Sequence, residues 1–557
     1  MLDSSVCPSL CAGKKMKKSD LVEYTQAIPD LIFPLEDLSY PASLNVVKVI
    51  YERARENAWL DNFAIYCDDE SITYGALFTR VNYWAAVLLA ASVKRGDCVL
   101  IRCPDSTDAV TAFLAIQSIG AVAVPAFAQL RVDDLVYRVN DTATVLALVS
   151  EEFAQEFIEV EAACPTLDTV LSLPEDPTGK FSTLGDFDQI PFMDGTFADT
   201  HADDIALIAY TSGTTGRPKG TAHCHRDLLA ASDTYSRHCM GTTPDDILAG
   251  PPSLPFTMGS AFFIYYTLAF GAASILSADK SVQTYAGLVN RHGATIFIGV
   301  PTFYKQFIAY VQEQNIELST LRMSLVGGEP LYPELEESWL RLTGLHLEQF
   351  IGSTEMFHIY IGYRHGIDHP RIGVLGKAIP GYEVTVRDPD TFEEKATGEH
   401  GILCSRGPTS TVYWSPKEIQ VEMVRHGWNI AKDTVWKDEE DYIHFFARAD
   451  EMIVTGGFNV APSDVEQVLV RHPAVAECAC VASPDETGQR IHVVKAFVVL
   501  NKEHELTEDL VGNLQSYFKE NGPPFMYPRK IEFVGSLPKG ITGKLLRSEL
   551  RRLEFGE

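Results

Sequence analysis

Hydrophobic positions along the chain alternate between short continuous runs and runs with helical spacing. The continuous runs predict buried strands at 97–103, 121–125, 145–150, 295–299 and 322–326. The helical spacing predicts intervening helices at 44–57, 105–119, 135–140, from Ser281 and from Pro301. Strands that alternate with helices are typical of a parallel, doubly wound α/β sheet.

Cap residues predict where two of these helices begin. Asp105 or Ser106 can cap the helix at 105–119, because a short polar side chain accepts a hydrogen bond from the first helical turn. Ser281 can cap another helix, whose apolar residues fall on one face: Val282, Tyr285, Ala286 and Val289.

The pattern changes toward the C-terminus, where segments after about residue 378 become shorter and β-rich. A chain of 557 residues exceeds what one hydrophobic core usually supports. We predict a large domain at 41–449, built of doubly wound sheets with a β-rich subdomain, and a small, mobile α+β lid domain at 450–557. Residues 1–40 are a tail, and its lysines favour a flexible terminus: Lys14, Lys15, Lys17 and Lys18.

Composition narrows the function classes. A formal net charge of −29 argues against nucleic acid and anionic membrane surfaces as partners. The eleven cysteines form no CxxC pair, so we expect neither a disulfide framework nor a zinc site, but a cytoplasmic protein. The stretch 259–276 is apolar enough to mimic a membrane span. Nearby prolines and acidic flanks favour a buried core segment instead.

One loop carries the chemistry. After the apolar run 205–209, the string Tyr-Thr-Ser-Gly-Thr-Thr-Gly-Arg-Pro-Lys-Gly supplies hydroxyls, glycines and a lysine. Such a loop suits phosphate oxygens, so we infer a polyphosphate ligand. It is not a Walker A loop, because Gly220 follows Lys219 where Ser or Thr is required. The candidate phosphate-binding residues are Thr211, Ser212, Gly213, Thr214, Thr215, Gly216 and Lys219.

The complete string at 210–220 resembles the phosphate loop of the adenylate-forming superfamily, which comprises acyl-CoA synthetases, adenylation domains and luciferases. Further stretches resemble the same superfamily in the expected order, at 327–331, 352–355, 448–459 and 538–544. The resemblance implies an acid–thiol ligase that uses ATP, Mg²⁺ and coenzyme A. It is also compatible with a homodimer.

The resemblance assigns roles residue by residue. The residues implied to be catalytic are Lys544, Glu355, Thr354 and Lys219, with Glu355 as the magnesium ligand. The residues implied to bind the nucleotide are Gly328, Glu329, Pro330, Ile351, Gly352, Ser353, Asp433 and Arg448. The residues implied to form the hinge and the pantetheine tunnel are Asp450, Gly456, Gly457 and Phe458. Ala431 and Lys432 depart from the usual Thr-Gly before Asp433, but the carboxylate itself is in place.

The segment 349–359 most resembles benzoate-CoA and aminobenzoate-CoA ligases. The acyl pocket implied is Phe256, Met258, Gly259, Ala261, Ile351 and His358. We therefore expect benzoate or a substituted benzoate as the acid, with a short or medium aliphatic acid as the alternative. His358 either contacts a ring substituent or is a structural histidine. An enzyme that loads a carrier-protein thiol, or a non-catalytic acid-binding relative, stays open.

Overall fold

The computed structural model describes most of the chain, with short gaps. The described residues are 16–23, 27–68, 70–187, 197–211, 218–329, 331–448, 451–455, 458–486, 492–504, 506–507, 509–523, 526–540 and 545–555. Up to residue 211 the helices and strands are α1 (Val46–Glu56), β1 (Phe63–Cys67), β2 (Glu70–Thr73), α2 (Tyr74–Ala90), β3 (Cys98–Arg102), α3 (Thr107–Ser118), β4 (Val122–Pro125), α4 (Val132–Asp141), β5 (Leu146–Ser150), α5 (Phe157–Ala163), β6 (Thr169–Leu173), β7 (Ser182–Thr183) and β8 (Ile205–Thr211).

The middle of the chain continues the alternation. Its elements are β9 (Lys219–Cys224), α6 (His225–Ala231), β10 (Ile247–Ala249), α7 (Thr257–Ser260), β11 (Ala273–Leu276), α8 (Val282–His292), β12 (Ile296–Gly299), α9 (Pro301–Gln314), β13 (Met323–Val326), α10 (Pro333–Thr343), β14 (Leu347–Gln349), β15 (Ile351–Gly352) and β16 (Ile359–Gly362).

The last part of the chain is richer in strands. It comprises β17 (Lys377–Ala378), β18 (Glu383–Arg387), β19 (Gly401–Arg406), β20 (Tyr413–Ser415), α11 (Gln420–Met423), β21 (Val424–Arg425), β22 (Trp428–Lys437), β23 (Ile443–Arg448), β24 (Ile453–Thr455), β25 (Phe458–Val460), α12 (Pro462–Val470), β26 (Val475–Pro484), β27 (His492–Leu500), α13 (Leu510–Asn521), β28 (Lys530–Phe533) and α14 (Arg547–Phe555).

Two mostly parallel sheets form the frame of the large domain. One has the strand order β20-β9-β8-β4-β3-β5-β6-β7, and the other has the order β14-β13-β12-β10-β11-β1-β2. A separate antiparallel sheet, β18-β19-β22-β21 with β23 on β22, forms the β-rich subdomain. The C-terminal region has its own sheet, β26-β27-β28, and its own core around α12 and α13. The predicted fold class is confirmed.

The predicted helix starts agree with the observed caps. Ser106 Oγ accepts the N–H of Ala109 at 3.2 Å, so Ser106 rather than Asp105 caps α3. Ser281 Oγ accepts the N–H of Thr284 at 3.2 Å and caps α8. The four apolar residues on the predicted face of α8 are all buried.

The long apolar stretch at 259–276 is core. It forms the end of α7, a π-helical segment Ala261–Tyr266 and the strand β11, and its large side chains except Phe270 are buried. Among the helices that the structure describes, none is long and apolar enough to cross a membrane. The prediction of a buried core segment is therefore confirmed.

The N-terminal segment is not a free tail from Met16 onward, so the predicted flexible terminus is wrong there. Lys18 is buried, and its ammonium donates to Asp227 Oδ2 at 2.6 Å and to the Ser410 carbonyl at 2.5 Å. Two backbone hydrogen bonds hold the same segment, from the Lys18 N–H to the Asp203 carbonyl at 2.9 Å and from the Ile205 N–H to the Met16 carbonyl at 3.2 Å. A buried lysine is stable when a carboxylate partners it, and a sequence pattern cannot supply that partner. Lys14 and Lys15 lie outside the described residues.

Candidate active site

The phosphate loop connects two paired strands. Thr211, the last residue of β8, pairs with Lys219, the first residue of the antiparallel β9. Ser212, Gly213, Thr214, Thr215 and Gly216 lie outside the described residues. Because β8 also pairs in parallel with β4, the base of the loop lies at the carboxyl edge of the sheet. Ligands bind at this edge in open α/β sheets.

Glu355 lies on a tight turn close to the same sheet. The turn runs from Thr354 to Phe357, where the Phe357 N–H donates to the Thr354 carbonyl at 3.1 Å. The hydroxyl of Tyr413 donates to Glu355 Oε1 at 2.9 Å. Because β20, which carries Tyr413, pairs with β9, this bond brings Glu355 toward the strand that starts at Lys219.

Local packing determines the shape of the turn. A Cβ on Gly352 would lie 2.7 Å from the His358 carbonyl oxygen, so only glycine allows the chain to close here. Phe357 adopts a φ of 72°, in the left-handed region that non-glycine residues rarely occupy. Burial and the charge of Glu355 raise the pKa of Tyr413, so this phenol stays protonated and donates. The turn therefore holds Glu355 and Tyr413 together.

Asp433 and Arg448 face each other across the hairpin of β22 and β23. They are direct partners in the strand register, and Arg448 Nη1 lies 4.0 Å from Asp433 Oδ1. The buried phenol of Tyr360 lies near both groups and near Glu355. Burial and the charges of Asp433 and Glu355 raise the pKa of Tyr360, while Arg448 opposes that rise. The charges of the predicted ribose and magnesium groups thus act on the same buried phenol.

The turn at 327–331, predicted to bind the nucleotide, begins with two glycines. The structure explains why each position is a glycine. A Cβ on Gly327 would lie 2.4 Å from the ring of Phe350, and Gly328 adopts a φ of 85°. Glu329 Oε2 accepts a hydrogen bond from the Thr302 hydroxyl at 2.8 Å and from the Thr302 N–H at 3.3 Å. Its carboxylate is therefore held against the first turn of α9. Pro330 lies outside the described residues.

The residues predicted to line the acyl pocket fall into two groups. Phe256, Met258 and Ile351 are partly exposed, as expected of side chains that face an accessible site. Gly259, Ala261 and His358 are buried.

Both ring nitrogens of His358 have hydrogen-bond partners. Nδ1 lies 3.1 Å from the Tyr266 hydroxyl, and Nε2 lies 2.5 Å from the Tyr382 hydroxyl. Tyr382 in turn pairs with Thr409 at 2.7 Å. Burial lowers the pKa of His358 to about 3, so the ring is neutral. A ring substituent would have to displace one tyrosine to bond His358. This network favours the structural interpretation of the histidine.

Gly259 is needed by the backbone. A Cβ at this position would lie 2.1 Å from the Ser253 carbonyl oxygen and 2.9 Å from the Leu254 nitrogen. We expect Gly259→Ala to displace the 253–256 turn and to lower kcat/KM for the acid at least tenfold, since misplaced positioning groups cost this much or more. Steady-state kinetics with acid and ATP varied separately would test it. Gly287→Ala, on a helix with nothing within 4 Å of its added Cβ, is the matched control. Equal kinetics for both variants would contradict the prediction.

Four residues assigned to the hinge, the pantetheine tunnel and the terminal lysine motif lie outside the described residues: Asp450, Gly456, Gly457 and Lys544. Phe458 is the first residue of β25, which pairs with β24 in a hairpin. The C-terminal region contacts the large domain through Arg471 Nε, which donates to Glu334 Oε1 at 2.6 Å. The roles assigned to these hinge residues stay predictions.

Three tyrosines of this region were not singled out in the sequence: Tyr360, Tyr382 and Tyr413. Tyr413 and Glu355 are 58 positions apart, and only the pairing of β20 with β9 brings them together. No short motif signals such a contact, because it depends on strand register across the whole domain.

The donors present fit a magnesium ion carried by a nucleotide. Glu355 keeps Oε2 and a further lone pair of Oε1 for a hard cation, and Thr354 adds a hydroxyl beside it. Within the described residues, no cluster of three or more His, Cys, Asp or Glu side chains forms a metal cage. Magnesium typically binds through one or two carboxylates together with substrate phosphates, which is what this site offers.

Comparison with known proteins agrees with the geometry. Residues 51–414 match the AMP-binding enzyme family, and residues 464–544 match the AMP-binding enzyme C-terminal domain. Benzoate–CoA ligase of Thauera aromatica is 33% identical over 498 residues, which cover 87% of this chain and 92% of that protein. The mitochondrial acyl-coenzyme A synthetase ACSM3 of Rattus norvegicus is 29% identical over 485 residues, which cover 84% of this chain and 81% of that protein.

A solved structure extends the similarity to three dimensions. The anthranilate CoA ligase AuaEII, in complex with anthranoyl-AMP, superposes with a TM-score of 0.86 at 29% identity, over 93% of this chain and 99% of that one. The resemblance found in the sequence motifs is thereby confirmed. The chain belongs to the AMP-binding enzyme family and is an AMP-forming acid–thiol ligase.

Proposed function

We propose that the acid is an aromatic carboxylate, benzoate or a substituted benzoate such as 2-aminobenzoate, and that the acceptor thiol is coenzyme A. The observation that carries the choice of acid is the partial exposure of three apolar residues, Phe256, Met258 and Ile351, which we propose form one wall of the acyl pocket. Ile351 lies four positions before Glu355, on the strand that leads into the magnesium turn. A flat apolar acid fits such a wall with its carboxylate toward the phosphates. The benzoate and anthranilate ligases among the relatives support the same choice.

The reaction has two steps. A carboxylate oxygen attacks the α-phosphorus of ATP, the bond from that phosphorus to the pyrophosphate oxygen breaks, and acyl-AMP forms. The thiol sulfur then attacks the acyl carbon, the bond from that carbon to AMP breaks, and the thiol proton passes to solvent. The products are acyl-CoA, AMP and pyrophosphate.

The chain assists the first step mainly through position and charge. Phosphoryl chemistry requires little covalent help, but negative charge must be neutralised where it develops. Lys219, at the start of β9, supplies a cation beside the phosphate loop. Magnesium, when bound with ATP at Glu355 and Thr354, supplies charge neutralisation on the phosphate oxygens. Asp433 offers acceptors for the ribose hydroxyls, and Tyr413 orients Glu355.

A screen of pyrophosphate release over aromatic and aliphatic acids tests the proposal. We expect kcat/KM for benzoate or 2-aminobenzoate to exceed that for hexanoate at least tenfold, with CoA as the acceptor. A higher value for hexanoate would favour the aliphatic alternative. Adenylation followed by transfer to a carrier-protein thiol, but not to CoA, would favour the carrier-loading alternative. Absence of adenylation with any acid would favour a non-catalytic relative.

Met258 provides a test of the wall itself. We expect Met258→Ala to lower kcat/KM for benzoate about tenfold and to improve the relative use of a bulkier 4-substituted benzoate, since each lost methylene in a pocket is worth about 1–3 kcal/mol. Competition assays with the two acids would measure the ratio. Met526→Ala removes the same side chain from the C-terminal core and is the control. An unchanged ratio in Met258→Ala would remove Met258 from the wall.

A further inference from the structure

A buried ion pair lies where the two large sheets meet. Asp105 follows β3 of one sheet, and Lys280 follows β11 of the other. Asp105 Oδ2 lies 2.5 Å from Lys280 Nζ, and the Asp105 side chain is only 3% exposed. Lys280 also donates to the Tyr285 hydroxyl at 3.2 Å. The pair therefore joins the carboxyl ends of strands from both sheets.

The same carboxylate holds the segment that precedes the acyl wall. Asp105 Oδ1 accepts the backbone N–H of the fully buried Leu254 at 3.0 Å. Two residues later Phe256 enters the wall, and its own N–H donates to the Ser253 carbonyl at 3.1 Å. On the other side, Gly259 packs directly against that carbonyl. The 253–256 turn is thus fixed between Asp105 and Gly259.

We propose that Asp105, held by Lys280, is a positioning residue that sets the acyl pocket by anchoring Leu254. Asp105 does not itself touch the acid; it acts through the turn that carries Phe256. A buried N–H without an acceptor is costly, so removing the carboxylate forces the turn to move until the N–H finds another partner. The inference rests on the proposed site for the acid, but it holds for any acid that the site accepts.

Lys280 is needed as long as the residue at position 105 is a buried carboxylate. A buried carboxylate without a cation is unfavourable, and Lys280 supplies that cation with most of its stem packed. Burial lowers the pKa of Lys280, but Tyr285 and Asp105 outweigh burial and raise it, so the ammonium persists. Asp105 thus bonds both partners at once, the Lys280 ammonium through Oδ2 and the Leu254 N–H through Oδ1, and a hydrogen bond to a charged acceptor is stronger than a neutral one.

Three variants separate positioning from stability. Asp105→Ala removes the acceptor and the charge. The double variant Asp105→Asn with Lys280→Met keeps a side-chain oxygen for Leu254 but removes the ion pair. Asp108→Asn is the matched control, because Asp108 lies three residues further along, in the first turn of α3, and pairs with Arg80 at 3.4 Å.

Steady-state kinetics of the full chain, with whichever acid the unmodified protein uses best, give the test. We expect Asp105→Ala to raise KM for the acid about tenfold or more and to change KM for ATP less than twofold, since the turn contacts the acid side of the site. The double variant should recover most of the acid KM, and Asp108→Asn should match the unmodified protein.

Other outcomes overturn the inference. Equal rises in KM for acid and ATP, or a lowered melting temperature with unchanged KM values, would make the pair merely structural. A double variant as impaired as Asp105→Ala would shift the role from the Leu254 hydrogen bond to the ion pair and would also overturn the proposal. A preference for an aliphatic acid would refute the aromatic substrate and leave this test intact.

Discussion

Replacing Glu355 with alanine is expected to slow the formation of acyl-AMP about 10²- to 10³-fold, the usual cost of losing one preorganised group that stabilises transition-state charge. The reason is local. Glu355 offers carboxylate oxygens for magnesium at the turn Thr354–Phe357, and Tyr413 fixes one of them at 2.9 Å. Without the carboxylate, the cation is held by phosphate oxygens and Thr354 alone, so its position on the triphosphate is poorly defined.

Single-turnover pyrophosphate release at several magnesium concentrations would measure the effect. Tyr413→Phe keeps the ring and removes only the hydrogen bond, so we expect it to raise the magnesium requirement a few-fold, with a much smaller loss of rate. Glu383→Ala removes a carboxylate that pairs with Arg406 at 2.7 Å and serves as the control. Near-normal release by Glu355→Ala at saturating magnesium would remove Glu355 from the catalytic residues.

Local sequence patterns predicted the elements of this fold well because the information needed is itself local. A polar cap such as Ser106 or Ser281 needs only the next helical turn, and both caps form as expected. The buried face of α8 follows from helical periodicity in the same way. The motifs and their order then resembled one family, which the family match confirms.

Local sequence patterns could not predict contacts between segments that are distant in the sequence. Tyr413 reaches Glu355 because β20 pairs with β9, and Lys18 reaches Asp227 because the N-terminal segment crosses the domain. Neither Tyr413 nor Lys18 is unusual in its own sequence context. Asp105 was considered only as a helix cap, yet its carboxylate holds Leu254 across the junction of two sheets. Tertiary register decides these contacts.

The residues assigned to the acyl pocket also show what the sequence can predict and what only the structure shows. The resemblance placed Gly259 and Ala261 in the acyl pocket. Gly259 is small because the Ser253 carbonyl approaches it, and Ala261 is buried in the core. A small side chain thus has two causes, a close backbone or an open pocket, and only the packed structure separates them. Met258, in contrast, is partly exposed.

The second large effect is expected at Lys544, and it should divide the two half-reactions. Lys544 lies outside the described residues, so the prediction rests on the resemblance of 538–544 to the terminal lysine motif. In that family the C-terminal domain swings about the hinge, here Asp450, and brings the lysine to the active site only for adenylation. An ammonium there would neutralise charge on the α-phosphate and carboxylate oxygens, where a water-poor site strengthens the attraction.

Lys544→Ala should therefore reduce the formation of acyl-AMP from ATP and acid by at least about 10²- to 10³-fold, because a full positive charge is lost where charge develops. Supplied with synthetic acyl-AMP and CoA, the same variant should make thioester at close to the normal rate. Lys539→Ala is the matched control, since Lys539 belongs to the same motif and its ammonium pairs with Glu477 at 2.8 Å. Single-turnover measurement of each half-reaction decides the matter. Equal losses in both halves would refute the exchange of Lys544 between two domain positions and leave it a structural or shared residue.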